Sequence, residues 1–313
     1  MTITERIDAI TGIDPEYLSV TPPCPRSVKI ELTGRCNFMC AFCARSQNLR
    51  EQKDMDRGMF EDLLSEMRQA GVEEIGLFYL GESMMVPWLA EAVEFATTVG
   101  FPYVFLTTNG SLSNPAKVEA CMEAGLSSLK FSLNYADADQ FTEIAQVKQA
   151  LFYRMIENIK SAHAVREGGG YDCGLYASYI SYDGDQGEKM QAMIKELSPY
   201  LDEIYELPLY NQADLVTDEE KARGWKPSAG NRGRAGNLRD PLPCWATLTE
   251  GHITWDGKLA ACCFDHNDDF TMADLTQVSF MEGWHSLKFQ QLRKANLAKD
   301  VTGTPCERCV VGG

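Results

Sequence analysis

The chain has 313 residues, of which 44% are hydrophobic and 24% are charged, and this composition is typical of a folded globular protein. Acidic residues outnumber basic residues by 45 to 29, which gives a formal net charge of −16. Such a charge excludes binding of nucleic acid or of an anionic membrane surface through bulk electrostatic attraction.

The N-terminal segment contains no targeting signal, because charged residues interrupt residues 1–12. The most hydrophobic stretch, residues 75–93, contains Gly81, Glu82 and Pro87 and is not a membrane span. We therefore expect a cytoplasmic protein. In a reducing compartment, eleven cysteines are expected to be metal ligands and core residues rather than disulfides.

Strand and helix patterns alternate from about residue 27. The apolar patterns predict six strands, at residues 28–32, 75–79, 103–107, 129–133, 175–180 and 204–207. Helical spacing between them predicts helices at residues 60–70, 89–98, 115–124, 151–165 and 189–197. Such alternation indicates an α/β fold with a parallel sheet. Because six strands are fewer than the eight of a closed barrel, we expect an open, partial (β/α)6 TIM-like barrel with its site at the carboxyl ends of the strands.

The pattern changes after about residue 211. Residues 213–243 are polar and contain several glycines, which is typical of a connector. Residues 252–262 predict a β-hairpin with an Asp-Gly turn, and helical spacing follows at residues 280–287 and 289–297. We therefore divide the chain into an N-terminal extension (1–25), a barrel (26–212), and a connector with a small C-terminal α+β domain (213–313).

Three cysteines lie close together directly after the first predicted strand, in the spacing Cys36-x3-Cys40-x2-Cys43. Three thiolates so spaced can bind one polynuclear iron site, and on a [4Fe–4S] cubane they leave one iron without a protein ligand. An open metal position can bind a small chelating molecule. The alternatives are a zinc knuckle that lacks one ligand and three unrelated core cysteines.

The segment from Cys36 to Cys43 resembles the signature of the radical S-adenosylmethionine (SAM) superfamily, in which the amino and carboxylate groups of SAM chelate the open iron. The resemblance implies that Phe42, the aromatic residue before the last cysteine, lies near the adenine. It also implies that residues at the ends of the second, third and fourth strands contact SAM, namely Gly81, Glu82, Asn109, Ser132 and Asn134. The family often has Gly-Gly-Glu-Pro where this chain has Leu80-Gly81-Glu82-Ser83.

Four further cysteines form a second group, Cys244, Cys262, Cys306 and Cys309. The predicted hairpin supplies two of them and a terminal Cys-x2-Cys supplies the other two, so four thiolates can close a second cubane. A structural zinc site with four cysteines is the alternative. The arrangement resembles the SPASM/Twitch subfamily and implies the Twitch-like form with one auxiliary [4Fe–4S] cluster. Cys263 is left out of the ligand set, because alternation along a strand would turn it away from Cys262.

The resemblance covers about residues 26–309 and implies a mechanism. A flavodoxin- or ferredoxin-type partner reduces the three-cysteine cluster, and the electron cleaves SAM to methionine and a 5′-deoxyadenosyl radical. This radical takes a hydrogen atom from the substrate, and the auxiliary cluster accepts the second electron of a two-electron oxidation. The oxidation also needs a group that takes a proton, for which Arg232, Arg234 and Tyr210 are the candidates.

The resemblance also limits the substrate. Related enzymes with one auxiliary cluster act on small polar molecules, and others modify ribosomally made peptides. About 26 residues precede the first predicted strand, too few for a leader-binding domain, so we expect a small polar substrate such as a sugar, an aminocyclitol or a nucleotide. One alternative is epimerisation or carbon–carbon or thioether cross-linking of a peptide. An alternative of another class is a non-catalytic iron–sulfur redox or sensor protein.

Overall fold

The computed structural model describes residues 1–182 and 186–311. Its strands are β1 (Ser27–Ile30), β2 (Glu74–Gly76), β3 (Tyr103–Thr108), β4 (Ser128–Ser132), β5 (Gly174–Ile180), β6 (Glu203–Leu207), β7 (Glu250–Ile253), β8 (Lys258–Ala260) and β9 (Thr271–Asp274). Its helices are α1 (Ile3–Thr11), α2 (Arg57–Ala70), α3 (Leu89–Val99), α4 (Pro115–Glu123), α5 (Ala138–Ala145), α6 (Ala150–Gly169), α7 (Gln186–Leu197), α8 (Thr217–Ala222), α9 (Phe280–Trp284), α10 (Leu287–Leu297) and α11 (Cys306–Val311).

The nine strands of the described residues belong to one sheet, in the order β6-β5-β4-β3-β2-β1-β7-β8-β9. Strands β1 to β6 are parallel, and each pairs with its neighbours in the sequence. Helices between successive strands provide the crossovers that parallel pairing needs. The predicted open, partial barrel is therefore confirmed, and the carboxyl ends of its six strands meet at one edge.

The C-terminal hairpin extends the same sheet. Strand β7 pairs in parallel with β1, and β8 and β9 follow in antiparallel pairing. The predicted Asp-Gly turn lies between β7 and β8, where Gly257 has a φ of 79°. Strand β9 was not predicted, because its four residues, Thr-Met-Ala-Asp, show no clear apolar alternation.

Helix α1 closes the amino end of the barrel and was not predicted. Thr2 caps it in a capping box with Glu5, and Ile3 and Ile10 are buried. Arg6 forms an ion pair with Glu74 at the start of β2. The N-terminal extension therefore packs on the barrel, which removes water from its amino end.

Other element bounds differ modestly from the prediction. Strand β2 ends at Gly76, so residues 77–82 are free to bend toward the cysteine loop. Ser286 caps α10, which separates α9 from α10. Within the described ranges, none of the helices combines the length and the apolar composition that crossing a bilayer requires.

Candidate active site and cluster-binding cysteines

The first cysteine loop follows β1 and packs directly against the segment after β2. The backbone N–H of Glu82 donates to the carbonyl of Arg35 at 2.8 Å. A Cβ atom on Gly81 would lie 1.9 Å from the carbonyl oxygen of Thr33 and 2.7 Å from that of Arg35. Only a glycine fits at this contact, so Gly81 sets the distance between the two segments.

The carboxylate of Glu82 joins the ends of β2 and β3. It accepts hydrogen bonds from the Thr108 hydroxyl at 2.8 Å, from the Asn109 N–H at 2.7 Å and from the Met84 N–H at 3.0 Å. Burial raises the pKa of Glu82, and these hydrogen bonds act in the opposite direction. Four of the residues expected to contact SAM thus meet at the same edge: Gly81 and Glu82 beside the cysteine loop, and Asn109 and Ser132 at the ends of β3 and β4.

Asn109, near SAM's expected position, is held by neighbouring residues, since its Oδ1 accepts from the Ser111 N–H at 3.0 Å and from the Ser111 hydroxyl at 2.7 Å. Asn109 Nδ2 donates to Asn37 Oδ1 at 2.9 Å and lies 4.0 Å from Cys36 Sγ. Ser132 and Asn134 are half-buried at the end of β4. Their contacts with SAM remain predictions.

The three thiols of the first group lie close enough to affect one another. Burial raises the pKa of all three, to about 11 for Cys36, and the neighbouring Cys43 and Cys36 raise the pKa of Cys40 further. A metal-free protein therefore keeps these thiols protonated, and a bound cationic cluster would reverse the shift by stabilising the thiolates. The proximity that these shifts reflect fits three ligands of one cluster.

The Tyr135 side chain contacts the thiol of Cys40. Its buried hydroxyl lies 2.9 Å from Cys40 Sγ. Hydrogen bonds to cluster sulfurs raise the reduction potential, because they stabilise the more negative reduced state. Tyr135→Phe is therefore expected to retain iron and to shift the potential of the three-cysteine cluster to a more negative value in an electron paramagnetic resonance (EPR) redox titration. The exposed Tyr153 offers the control Tyr153→Phe, and equal potentials in both variants would refute the role of this hydroxyl.

A left-handed turn connects the first cysteine loop to the C-terminal region. Gln212 and the next two residues have φ values of 46°, 59° and 67°. The Gln212 side chain accepts a hydrogen bond from the Ala44 N–H at 3.0 Å and donates to the Phe42 carbonyl. Its neighbour Asn211 donates to the Cys309 carbonyl at 3.0 Å. One turn therefore positions both the predicted adenine neighbour and a predicted auxiliary-cluster ligand.

The second cysteine group assembles from three distant segments. Burial raises the pKa of Cys244, and the nearby Cys306 and Cys309 raise it further. Asn296 of α10 joins two of the segments, because its Oδ1 accepts from the Cys244 N–H at 3.2 Å and its Nδ2 lies 3.8 Å from Cys306 Sγ. Cys262 is also close, since Cys244 and Cys309 both raise its pKa. All four predicted thiols thus lie near one another.

The reason for leaving out Cys263 was wrong. Strand β8 ends at Ala260, so alternation does not extend to Cys262 and Cys263. Cys263 instead lies close enough to raise the pKa of Cys262, and Asn231 Nδ2 donates to Cys263 Sγ at 3.2 Å. The group therefore contains a fifth thiol, and the four-ligand assignment remains a prediction.

The donor chemistry of both groups fits iron–sulfur clusters. Both groups consist of thiols, which are the usual ligands of iron–sulfur clusters. In residues 1–182 and 186–311, no three His, Cys, Asp or Glu side chains surround a position for a single metal ion. The residues that would hold the two clusters are Cys36, Cys40 and Cys43 in the barrel, and Cys244, Cys262, Cys306 and Cys309 in the C-terminal region.

Arg293 of α10 is a buried cation that binds the short segment after Cys244. Its guanidinium is fully buried, donates to the carbonyls of Thr247 at 2.8 Å and Trp284 at 2.6 Å, and stacks 3.9 Å from the centre of the Phe289 ring. Burial lowers its pKa to about 9. Arg293→Ala is expected to lower the free energy of unfolding by about 3 kcal/mol, since the carbonyls lose charged donors. Urea unfolding tests this against the exposed Arg57→Ala, and equal losses would contradict it.

The three candidate proton acceptors lie in different settings. Arg234 is bound to Asp8 at 2.6 Å, and Arg232 donates to the Arg239 carbonyl at 2.8 Å. Tyr210 donates to the Gly233 carbonyl at 2.5 Å, and burial raises its pKa. Tyr210 lines the cavity described next, whereas neither arginine does so. The catalytic roles of all three remain predictions.

A cavity of about 270 Å³ lies inside the barrel. Its lining runs from the amino ends of the strands, at Ser27, Glu74, Tyr103 and Ser128, to Thr107 of β3 and Lys130 in the middle of β4, which precede Asn109 and Ser132 by two residues. Residues two apart on a strand share a face and lie about 7 Å apart. On the C-terminal side the lining includes Cys263. Among the described residues, none of the predicted SAM contacts lines the cavity, which lies below them inside the barrel and reaches the C-terminal region at Cys263.

Two family models match the sequence and together cover about two thirds of it. The radical SAM superfamily model matches residues 30–173, and the model of the iron–sulfur cluster-binding SPASM domain matches residues 244–310. The chain belongs to the radical SAM superfamily. Its cofactors are accordingly SAM, a radical-SAM [4Fe–4S] cluster and an auxiliary iron–sulfur cluster in the SPASM domain.

Curated relatives of this radical SAM protein differ in their reactions. It is 32% identical to the GTP 3′,8-cyclase of Chlorobaculum tepidum over 120 residues. The matched residues make up 38% of this chain and 36% of that protein. It is 31% identical to the PqqA peptide cyclase of Xanthomonas euvesicatoria over 135 residues. The matched residues make up 43% of this chain and 36% of that protein. This chain thus spans about a third of these relatives' lengths.

Solved structures of low sequence identity share its fold. The complex of BtrN with AdoMet and 2-DOIA superposes with a TM-score of 0.56 at 16% identity, over 87% of this chain and 86% of BtrN. SuiB from Streptococcus suis superposes with a TM-score of 0.64 at 16% identity, over 93% of this chain and 73% of SuiB. These similarities support the partial barrel with a C-terminal SPASM/Twitch-type region.

Proposed function

We propose that this radical SAM enzyme cleaves SAM reductively and takes a hydrogen atom from a small molecule, which it oxidises by two electrons, for example from an alcohol to a ketone. The observation that carries the proposal is the barrel cavity, which reaches Thr107 and Lys130, two residues before the predicted SAM contacts Asn109 and Ser132, and which Cys263 of the second cysteine group also lines. A substrate in this cavity would lie beside both the hydrogen acceptor and the electron acceptor that the oxidation needs.

The two clusters and SAM supply the electron transfer and the hydrogen-abstracting radical when bound. The protein's own residues enclose the cavity. Helix α1 covers the amino end of the barrel, and Ile3 and Ile10 line the cavity there. Tyr210 and Phe264 lie at the opposite end, with ring centres 5.7 Å apart. These apolar walls support the exclusion of water and of stray hydrogen donors from a reactive radical.

Anaerobic turnover with deuterium-labelled candidate metabolites tests the proposal. The expected result is 5′-deoxyadenosine that carries deuterium from one defined carbon, together with a product two electrons more oxidised. A flavodoxin or ferredoxin should replace dithionite as reductant. If reduced protein formed no 5′-deoxyadenosine with any substrate, the alternative of a non-catalytic redox or sensor protein would be favoured.

Peptide modification is the second candidate, and the match to a PqqA peptide cyclase favours it. A structural neighbour, SuiB, was solved with its precursor peptide SuiA. The same labelled assay separates the two candidates, because deuterium transfer from a labelled peptide would support the second and transfer from a small molecule would support the first.

A further inference from the structure

The charged groups inside the barrel cavity are paired, with one exception. Arg6 pairs with Glu74, and Lys29 Nζ lies 2.8 Å from Glu250 Oε2. Among the described residues that line the cavity, Lys130 is the charged side chain without a carboxylate partner. Because a buried ammonium without a counter-charge is costly, this position favours a ligand that supplies one.

Lys130 points into the barrel from the middle of β4. Its neighbours Leu129 and Phe131 are fully buried on the opposite, helix-covered face. Its Nζ atom lies 3.2 Å from the Tyr205 hydroxyl on β6. Ser132, a predicted SAM contact, follows two residues later on the same face. The backbone of Lys130 therefore lies about 7 Å along the strand from that of Ser132, and its side chain lines the cavity.

The rest of the cavity wall is largely apolar. The rings of Phe78 and Phe105 lie 5.5 Å apart, and those of Tyr103 and Phe105 lie 5.6 Å apart. Ile7 of α1 and Leu207 of β6 also line the cavity. An aromatic or aliphatic group of a ligand would pack against these walls.

We propose that the substrate of this enzyme is an organic acid with an aromatic or other apolar body, whose carboxylate pairs with Lys130 inside the barrel. This inference rests on the proposed function, since it names the substrate class of the same site. It differs from the sugar-like, aminocyclitol-like or nucleotide-like substrate that the family resemblance suggested. The cavity volume of about 270 Å³ suits a substituted ring, since a cavity of about 150 Å³ holds benzene.

The charge state of Lys130 makes the pairing dependent on pH. Burial and the nearby Lys29 lower the pKa of Lys130 to about 7, and Glu250 opposes them. Burial lowers the pKa of His252 and raises that of Tyr205, so both stay neutral between pH 7 and 9. Below pH 7 the amine is already protonated. Above pH 7 a carboxylate must bind together with a proton, so its affinity is expected to fall about tenfold per pH unit.

Binding of benzoate to the full chain tests the pairing. Isothermal titration calorimetry on anaerobically reconstituted, SAM-bound protein is expected to show benzoate binding that weakens from pH 7 to pH 9. Lys130→Met should weaken binding at pH 6.5 at least tenfold and remove the pH dependence. Benzyl alcohol, which has the same ring without a charge, should bind weakly and equally to both proteins.

Two further variants serve as controls. Lys160→Met, on an exposed face of α6, should keep the wild-type affinity, and Lys130→Arg, which keeps the charge, should retain benzoate binding. Iron content and circular dichroism confirm that each variant is folded. Unchanged benzoate affinity in Lys130→Met, or no benzoate binding to the wild type, would overturn the inference.

Measuring 5′-deoxyadenosine in the same preparations separates this inference from the function on which it rests. SAM cleavage without benzoate binding overturns the substrate class and leaves the radical function. Lys130-dependent benzoate binding without any SAM cleavage overturns the radical function, while it supports the acid-binding site.

Discussion

Replacement of Cys36, Cys40 and Cys43 by Ala together is expected to remove one cluster's iron and all cleavage of SAM. Cys43 raises the pKa of both Cys36 and Cys40, and Cys36 raises that of Cys40, because the three thiols lie within one loop. Without thiolates the cluster has no attachment, and without its open iron SAM has no electron donor. Iron analysis and chromatographic measurement of 5′-deoxyadenosine check both effects.

The matched controls are cysteines outside the group. Cys24→Ala removes a half-buried thiol that lies apart from both groups and should leave iron content and SAM cleavage unchanged. The double variant Cys306→Ala/Cys309→Ala should lose the other cluster's iron and retain the EPR signal of the first. If the triple variant kept its full iron content, the ligand assignment would be wrong.

Gly81→Ala is expected to have the second largest effect. Its Cβ would lie 1.9 Å from the Thr33 carbonyl oxygen, and a backbone carbonyl cannot rotate away as a flexible side chain can. The loop that carries Cys36 must then move away from Glu82, at a cost of about 3 kcal/mol. We expect at least a tenfold loss of SAM affinity, with reduced iron in the three-cysteine cluster.

Gly168→Ala is the control for this substitution. Gly168 lies in α6, and no atom lies within 4 Å of the position that a Cβ would take there, so alanine should be neutral or slightly stabilising. Thermal unfolding and SAM binding by equilibrium dialysis compare the two variants. Equal SAM affinity in both would show that the contact between Gly81 and the cysteine loop is unimportant.

The barrel could be predicted because its strands and helices have strong local patterns. Val28, Ile30 and Leu32 alternate with polar residues, and Asn114 with Pro115 marks a helix start that the structure has at Pro115. The pairing of β7 with β1 could not be predicted, since parallel pairing between strands more than 200 residues apart leaves no local signal. Helix α1 did have a signal, the capping box from Thr2 to Glu5.

The functional site could be predicted only where the spacing of residues along the chain indicates their chemistry. The two cysteine groups follow from their spacing, whereas the position of Cys263 depends on where β8 ends. Gln212 contacts the first cysteine loop because of a left-handed turn, which the local sequence does not predict. The sequence did contain a signal for Lys130, because a lysine between Leu129 and Phe131 is unusual in a parallel strand, where most residues are apolar.

The central claim is that an open iron of the three-cysteine cluster binds SAM. The most direct test is electron–nuclear double resonance, together with EPR, on reduced, anaerobic protein. The protein is mixed with SAM that carries ¹⁵N in its amino group. We predict a hyperfine coupling between this nitrogen and the three-cysteine cluster, which is retained in Cys306→Ala/Cys309→Ala. A reduced cluster without this coupling, or purified protein that holds zinc at these cysteines, would contradict SAM binding at an open iron.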